Sequence, residues 1–578
     1  MPFIRFKRAN NQKIANDNTV KDSDYQSAQK RIAIIGSGVS GLTCAHYLVA
    51  QHEVTVFEAN DYIGGHVNTI DVALQDGKKA KSSNVESSAI DTGFIVFNER
   101  TYPNFFRLLH ELQVPFQSTD MSFSVKNTAR HFEYNGHTLN TLLSQRKNVL
   151  NPKFWRFIKD ILQFNKHIKQ LRQDYEMART QGQDVSIFTE QTLGDYLTQQ
   201  KYGQLFTDNY LLPMVSAIWS TSLDEVQDFP LVFFAQFFDN HGLLDVVNRP
   251  QWFTIKGGSK QYVNKLIPRF IKAGGKVRVN SPVQSVVRDG DQVLLTVQNK
   301  GSADNTIENL VFDEVVFACH ADTALKILKD ASTDESEVLS HFRFTKNTAV
   351  LHTDISVLPN KPLAWASWNY LIDENLSNKT ARQSAAENHT EKSQISAKPV
   401  LTYHMNILQR LTKKHNYLVT LNPATASKSV DDKQVIKRID YSHPVFDLAM
   451  IDAQTKWSSI SGNGLHTHFC GAYWFNGFHE DGVRSGLRVC QALGHDIAIK
   501  DEVDPTHLPD AESAHTPFRY KDLPVKADTK LRALNKRQVI TATTNQELVE
   551  YAERLQSAAA GDTNQHKKRS LFGRRKVQ

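Results

Sequence analysis

The pattern of apolar and polar positions changes abruptly at residue 31. Residues 1–29 are polar, rich in Asn and Lys and without period, which predicts a disordered segment. From Arg31 the chain reads RIAIIGSGVSGLTCAHYL and then HEVTVFEAND, predicting a buried strand, a glycine turn, a helix and a second strand. Residues 73–89 read as a surface hairpin or loop. Helical periodicity is predicted over 102–112, 152–176, 192–197 and 203–219. A strand cluster is predicted over 276–297, with Asp289-Gly290 as its turn signal, and DEVVFACHA at 313–321 reads as a buried strand followed by a helix. Residues 372–398 are poor in apolar residues and read as a mobile insertion. The compact chain is expected to end near Lys500. Residues 501–578 read as a mostly disordered basic tail with one helix-like piece at 546–558.

Length and composition narrow the class. A chain of 578 residues is too long for one core. No apolar run approaches the ~18–20 residues needed to span a bilayer; the densest, around Leu231–Phe238, is far shorter. The first residues carry charge but no apolar core of a secretory signal. Cys44, Cys319, Cys470 and Cys490 form no close pair, so neither a disulfide framework nor a metal site is expected, and the chain reads as cytoplasmic. The net charge of +7 divides into +4 over residues 1–31 and +3 over 501–578, leaving the body neutral. A neutral body argues against a nucleic-acid groove, and basic flanks leave room for weak contact with an anionic membrane surface.

Candidate chemistry begins at the first turn. Gly36, Gly38 and Gly41 form a GxGxxG loop, with Ser37, Val39 and Ser40 between them, directly after an apolar strand and before a helix. Such a loop lets backbone amides approach a pyrophosphate at a helix N-terminus. Glu58, with Ala59 after it, stands at the end of the next strand, where a carboxylate accepts ribose hydroxyls. Gly64, Gly65 and His66 follow shortly. A second glycine pair there brings another backbone segment against the same pyrophosphate, as an extended FAD requires and a shorter NAD site does not.

With these motifs, residues 30–500 resemble the flavin-containing amine oxidase superfamily, which includes amine oxidases, protoporphyrinogen oxidase and phytoene desaturases. Within it they are most similar to bacterial amine oxidase-like FAD-dependent oxidoreductases. The strings that carry the resemblance are GGHVNTI, DTGFIVFNERTYPNF, AVLHTDISVLP, WASWNY and FCGAYWFNGFHEDGVRSG. The resemblance implies an α/β fold: a Rossmann-type FAD domain from 30–100, 250–335 and 460–500, and a mixed-sheet and helical substrate domain from 101–249 and 336–459. It implies non-covalent FAD, with Cys470 a core residue rather than a flavin link. His66 stands where the superfamily usually has Arg. Val283 falls where a backbone contact to adenine is expected, and Gly257-Gly258 where a glycine pair opens a helix against the FAD domain. Gly471 closes a strand next to the flavin, where Ala472 replaces a common Glu, and the amides of Gly482 and Val483 point at the flavin ring. The segment Asp91-Thr92-Gly93-Phe94 lines the ring or forms a buried turn.

On the substrate side, Phe478 falls where amine oxidases place one aromatic wall of an amine cage. Tyr473, Trp474, Trp365, Trp368 and Tyr370 add aromatic material as either pocket or core. A Lys linked through water to the flavin has two counterparts in register, Lys346 and Asn347. His352 and Asp354 share one strand face and form either a base with its orienting acid or a structural hydrogen bond. The implied activity is hydride removal from an organic substrate, a lipid or polyene C–C bond or a C–N bond. The alternatives are oxidation of a small amine, and a non-catalytic FAD-binding role.

Overall fold

The computed structural model describes residues 29–75, 85–245, 249–300, 306–373, 398–426, 429–503, 539–543 and 548–558. The expected disordered N-terminus up to residue 28, the tip of the 73–89 hairpin, most of the 372–398 insertion and the basic end of the chain lie outside them.

Five strands form one parallel sheet in the order Lys276–Arg278, Glu53–Phe57, Arg31–Ile35, Glu314–Phe317 and Thr467–Phe469. Parallel strands covered on both faces need continuous apolar runs. Ile32, Ala33 and Ile34, with Val315, Val316 and Phe317, are wholly buried at its centre. The strands come from three separated stretches of sequence. Helices Val39–Leu48 and His479–Ala492 lie against each other on this sheet. Glycine decides how closely they approach: a Cβ on Gly486 would lie 2.7 Å from the Ser40 carbonyl, and one on Gly482 would collide with Val39. The two helix N-termini, each with amides that lack an intrahelical partner, therefore converge.

A second, mixed sheet of seven strands runs Val435–Pro444, Phe344–His352, Leu418–Leu421, Val400–His404, Trp368–Ile372, Phe123–Asn127 and Phe132–Asn135. One pairing, Trp368–Ile372 with Phe123–Asn127, is parallel; the others are antiparallel. Helices Pro152–Thr180, Leu212–Trp219 and Leu231–Asn240 adjoin it. Their apolar stripes bury Phe154, Phe157, Phe164, Phe234 and Phe238 in an aromatic core. No helix among the described residues is long and apolar enough to cross a membrane.

The tail contains the helix-like piece expected at 546–558, described over 548–558, and adds a strand that was not expected. Val539–Thr543 pairs antiparallel with Thr69–Gln75, which also pairs with Val85–Asp91. The helical residues 548–558 bury Leu548, Val549 and Ala552, and Gln556 exchanges hydrogen bonds with the Val277 backbone at 3.0 and 3.1 Å. Strand edges and apolar grooves far away in sequence order these pieces, which tail composition alone does not reveal.

Candidate functional site

The three glycines of the first loop have different reasons. Gly36 has φ +111°, and a Cβ there would lie 2.7 Å from the Ala318 carbonyl. A Cβ on Gly41 would strike the Gly36 carbonyl. Gly38 has ordinary torsions, φ −65° and ψ 176°, and a Cβ there meets no protein atom within 4 Å. Protein packing explains Gly36 and Gly41; Gly38 faces space that a side chain would fill. Gly65, at φ +58°, completes the cradle, because a Cβ on it would lie 3.1 Å from the Gly38 Cα.

Glu58 ends its strand 6% exposed. It accepts from Ser37 N at 3.1 Å, Ser37 Oγ at 2.6 Å, Asn60 N at 2.9 Å and Asn60 Nδ2 at 2.8 Å. Ser37 Oγ also accepts from Gly64 N at 3.1 Å, which ties the two glycine loops together. Ala59 is exposed beside them. Ser281 N donates to the Glu58 carbonyl at 2.8 Å, which brings the start of strand Val283–Asp289 to the same edge. The open face of Gly38, the free amides over Val39–Gly41 and the buried Glu58 fit an adenine dinucleotide. Its pyrophosphate would lie at the loop, its ribose at Glu58 and its adenine near Val283.

At the other helix the assignment of amides shifts. Gly482 N already donates to the Phe478 carbonyl at 3.1 Å, so it is not available to a ligand. Helix His479–Ala492 begins three residues earlier than Gly482, and its amides without an intrahelical acceptor are those of His479, Glu480 and Asp481. Gly482 serves the close crossing instead, and Val483 is buried beneath it. Gly471 N donates to Ser485 Oγ at 3.1 Å, and a Cβ on Gly471 would run into the Tyr473 ring.

His66 stacks on Tyr441 with centroids 4.9 Å apart, and His443 lies 5.6 Å away. Burial, reinforced by His443 and His320, pushes its pKa down to about 3. It is therefore neutral and cannot balance phosphate charge as an Arg would. Its Nε2 is buried without a protein partner. An orphaned imidazole nitrogen at the junction of the two halves fits a hydrogen bond to a bound cofactor. His320, stacked on Phe344 at 4.2 Å, and His443 are also held below the ordinary histidine range by burial.

Lys346 and His352 do not join this cluster. Along the strand Phe344–His352, Lys346 is exposed and its neighbour Asn347 points inward, 2% exposed. Asn347 Nδ2 donates to His443 Nδ1 at 3.0 Å while its Oδ1 accepts from Asn422 at 2.8 Å. A neutral His443 that accepts at Nδ1 carries its proton on Nε2. His352 lies five positions further on, roughly 16 Å away. Its Nδ1 accepts from Asp354 N at 3.0 Å and its Nε2 meets Thr420 Oγ1 at 2.7 Å. Asp354 accepts from Ser356 N and Asp431 N at 2.9 and 3.0 Å. The pair is a structural brace.

Phe478 stands at the head of its helix, but one face is covered: Phe237 stacks on it at 4.9 Å, with Trp219 edge-on at 6.3 Å and His241 at 5.7 Å. Phe446 and Phe233 continue the cluster, stacked at 5.2 Å. Phe478 is thus one ring of an aromatic wall, not a free-standing cage face. Tyr473 and Trp474 are buried against Phe342, Trp365 is buried with its indole bonded to Pro359, and Tyr370 meets Ser216 at 3.1 Å. Trp368 is half-buried, edge-on to Tyr403 at 5.1 Å.

The buried carboxylates are committed elsewhere. Asp91 accepts from Ser259 N and Oγ, both at 2.8 Å, and caps the helix after Gly257-Gly258. Burial still raises its pKa to about 6. Glu480, raised to about 8 by burial, caps Asn104 and Phe105, and Asp481 accepts from Phe478 N at 2.9 Å. The segment after Asp91 lies along His66, whose carbonyl accepts from Phe94 N at 2.8 Å.

Sequence reasoning missed His320, Tyr441 and His443. His320 had a signal, since it follows the carboxyl end of a central parallel strand, where α/β sheets bind ligands. Tyr441 and His443 had none. Antiparallel pairing of Thr345 with His443 brings them in.

A parallel sheet with a glycine cradle beside a mixed sheet that meets an aromatic wall fits a two-part oxidoreductase with a dinucleotide cofactor. The chain belongs to the flavin containing amine oxidoreductase family, which residues 39–354 match. It is a flavin-dependent oxidoreductase. Among solved structures it resembles cyclohexylamine oxidase from Brevibacterium oxydans IH-35A, with 15% identity, TM-score 0.52, and 80% of this chain and 98% of that one covered. It also resembles a CLA-producing fatty acid isomerase from P. acnes, with 12% identity, TM-score 0.52, and 81% and 100% covered. A curated relative, lysine-specific histone demethylase 1 of Schizosaccharomyces pombe, is 30% identical over 90 residues, 13% of this chain. That match spans only 9% of the demethylase's length.

Proposed function

We propose that the protein binds FAD non-covalently and oxidises a lipid chain held against the aromatic wall: a hydride leaves one carbon for the flavin, a proton leaves the neighbouring carbon, and a C=C bond forms between them. The observation that supports a lipid over a small amine is the setting of Phe478. It is packed among Trp219, Phe237 and His241, while Asp91, Glu480 and Asp481 are each committed to backbone amides. An apolar chain needs shape and dry contact, which rings supply; a cationic amine head needs a carboxylate or an open aromatic face. FAD supplies the hydride acceptor when bound. The chain's own work is to hold the dinucleotide at the two glycine loops and Glu58 and to exclude water with the aromatic wall. Around the reacting carbon it presents the neutral imidazoles of His66, His320 and His443. The thiol of Cys319, pushed up to about 12 by burial, is a poor nucleophile, and Cys470 is fully buried, which supports a non-covalent cofactor. We place the protein in the cytoplasm.

The test is anaerobic mixing of the yellow protein with fatty-acyl lipids and, separately, with a panel of amines. Bleaching of the flavin by lipid alone supports the reading, and bleaching by an amine alone overturns it. Acid precipitation is expected to leave all flavin in the supernatant; a yellow pellet overturns the non-covalent assignment.

A further inference from the structure

One face of the helical part has a composition that solvent does not explain. Leu139 is 79% exposed, Leu150 88%, Trp155 52%, Leu162 51% and Val149 43%. They come from three consecutive elements, Leu139–Leu142, Arg146–Leu150 and the first turns of Pro152–Thr180. Two contacts hold these elements side by side. The Trp155 indole N–H donates to the Val149 carbonyl at 2.8 Å, and the Arg146 guanidinium donates to Asn140 Oδ1 at 2.6 Å.

The long helix shows why this is not ordinary surface. Its inner stripe carries Phe154, Phe157, Phe164 and Ile168, all buried. Its outer stripe, expected to be polar throughout, reads Trp155, Lys159, Leu162 and Lys166 at helical spacing. Between residues 136 and 166 the chain has six Lys and Arg against a single acid. That acid, Asp160, is turned inward, where it accepts from Gly203 N at 3.0 Å. Arg146, Lys147, Lys153, Arg156, Lys159 and Lys166 are all exposed.

We propose that this face docks the protein on an anionic lipid bilayer, with the apolar tips entering the headgroup layer and the surrounding cations meeting lipid phosphates. Charge complementarity selects the occupant. Apolar side chains interleaved with long basic ones suit the boundary between acyl chains and anionic headgroups, whereas a protein partner calls for a contiguous apolar patch. Lys and Arg stems reach along the apolar tips and keep their charges in the headgroup zone. The clamp from Trp155 to Val149 holds the tips in place before contact, so little ordering is needed on binding. The surface uses no residue of the basic end of the chain, and the proposal does not depend on which bond the flavin site oxidises.

Sedimentation of the full-length, flavin-loaded protein with vesicles tests this. Phosphatidylglycerol–phosphatidylcholine vesicles are compared with pure phosphatidylcholine at about 0.05 and 0.5 M salt, where screening differs strongly. Binding is expected on the anionic vesicles at low salt only. Each basic group near such a surface contributes about fivefold, so Lys153→Gln/Lys159→Gln/Lys166→Gln should weaken binding on the order of 100-fold. Leu139→Ser/Leu150→Ser should weaken it on the order of tenfold. Flavin content and thermal midpoint should not move in either variant, because all five side chains are exposed. A fluorophore on Leu150→Cys should shift to the blue with anionic vesicles. Full binding by both variants overturns the proposal, as does loss of all binding on deleting residues 560–578 alone. It is equally overturned if the variants change self-association instead, or if the fluorophore does not shift.

Discussion

At the glycine-loop end of the candidate site, backbone specifies the space: Gly36, Gly41, Gly65 and Gly482 are where they are because a Cβ would meet another segment's main chain or a neighbouring helix. At the aromatic wall, side chains specify it: Trp219, Phe237, Phe446 and Phe478 come from four separate segments and fix one another by ring contacts of 4.5 to 6.3 Å. Steric constraint on backbone has few solutions and leaves a recognisable pattern of glycines. Ring packing has many solutions, so the same aromatic residues serve as pocket or core.

Five substitutions probe that contrast. The largest effect is expected at Gly41→Val. A side chain there collides with the Gly36 carbonyl, so the cost exceeds about 4 kcal/mol and little soluble protein should be recovered. Wild-type yield and melting would remove the backbone account. Gly38→Ala separates cradle from core. The flavin-free variant should melt within about 1 kcal/mol of the parent, since the torsions suit alanine and no protein atom is met. Its flavin affinity should fall on the order of 100-fold, about 2.7 kcal/mol. A fully yellow Gly38→Ala protein would mean that the pyrophosphate lies elsewhere.

On the other side, Asn347→Leu should cost about 1–3 kcal/mol, because it strips the partners from His443 Nδ1 and the Asn422 amide. Lys346→Ala, one position away and exposed, should stay within about 0.5 kcal/mol and keep substrate-dependent flavin reduction. The reverse ranking would restore Lys346 as the functional residue. The last test is a pH dependence. His352 is held near 3 by burial, well below its ordinary 6.5. The unfolded chain therefore takes up a proton that the folded chain refuses, and stability from this residue, full above pH 6.5, is lost as pH falls towards 3. Between pH 8 and 5 the loss is about 2 kcal/mol. Urea titrations of wild type and His352→Gln should show this difference shrinking in wild type's disfavour as pH falls. A difference that grows the other way would mean that His352 is charged in the fold.

The sequence by itself determined the parallel sheet's central strands, the glycine loops, Glu58 and the family, because each rests on local pattern: apolar runs, spacing, and positions where only glycine fits. It singled out Phe478 without revealing that Phe237 covers one of its faces. Three matters were decided by tertiary structure alone. Strand pleat turned Asn347 inward and Lys346 outward, a choice of one residue in register that the flanking sequence leaves open. Helix start position moved the free amides from Gly482 and Val483 to His479–Asp481, because the helix begins after Phe478. Antiparallel pairing carried His443 and Tyr441 to His66 across more than 370 residues of chain. Local pattern records the sterics of neighbouring residues; which distant side chains share a cavity is written only in how the sheets and helices pack.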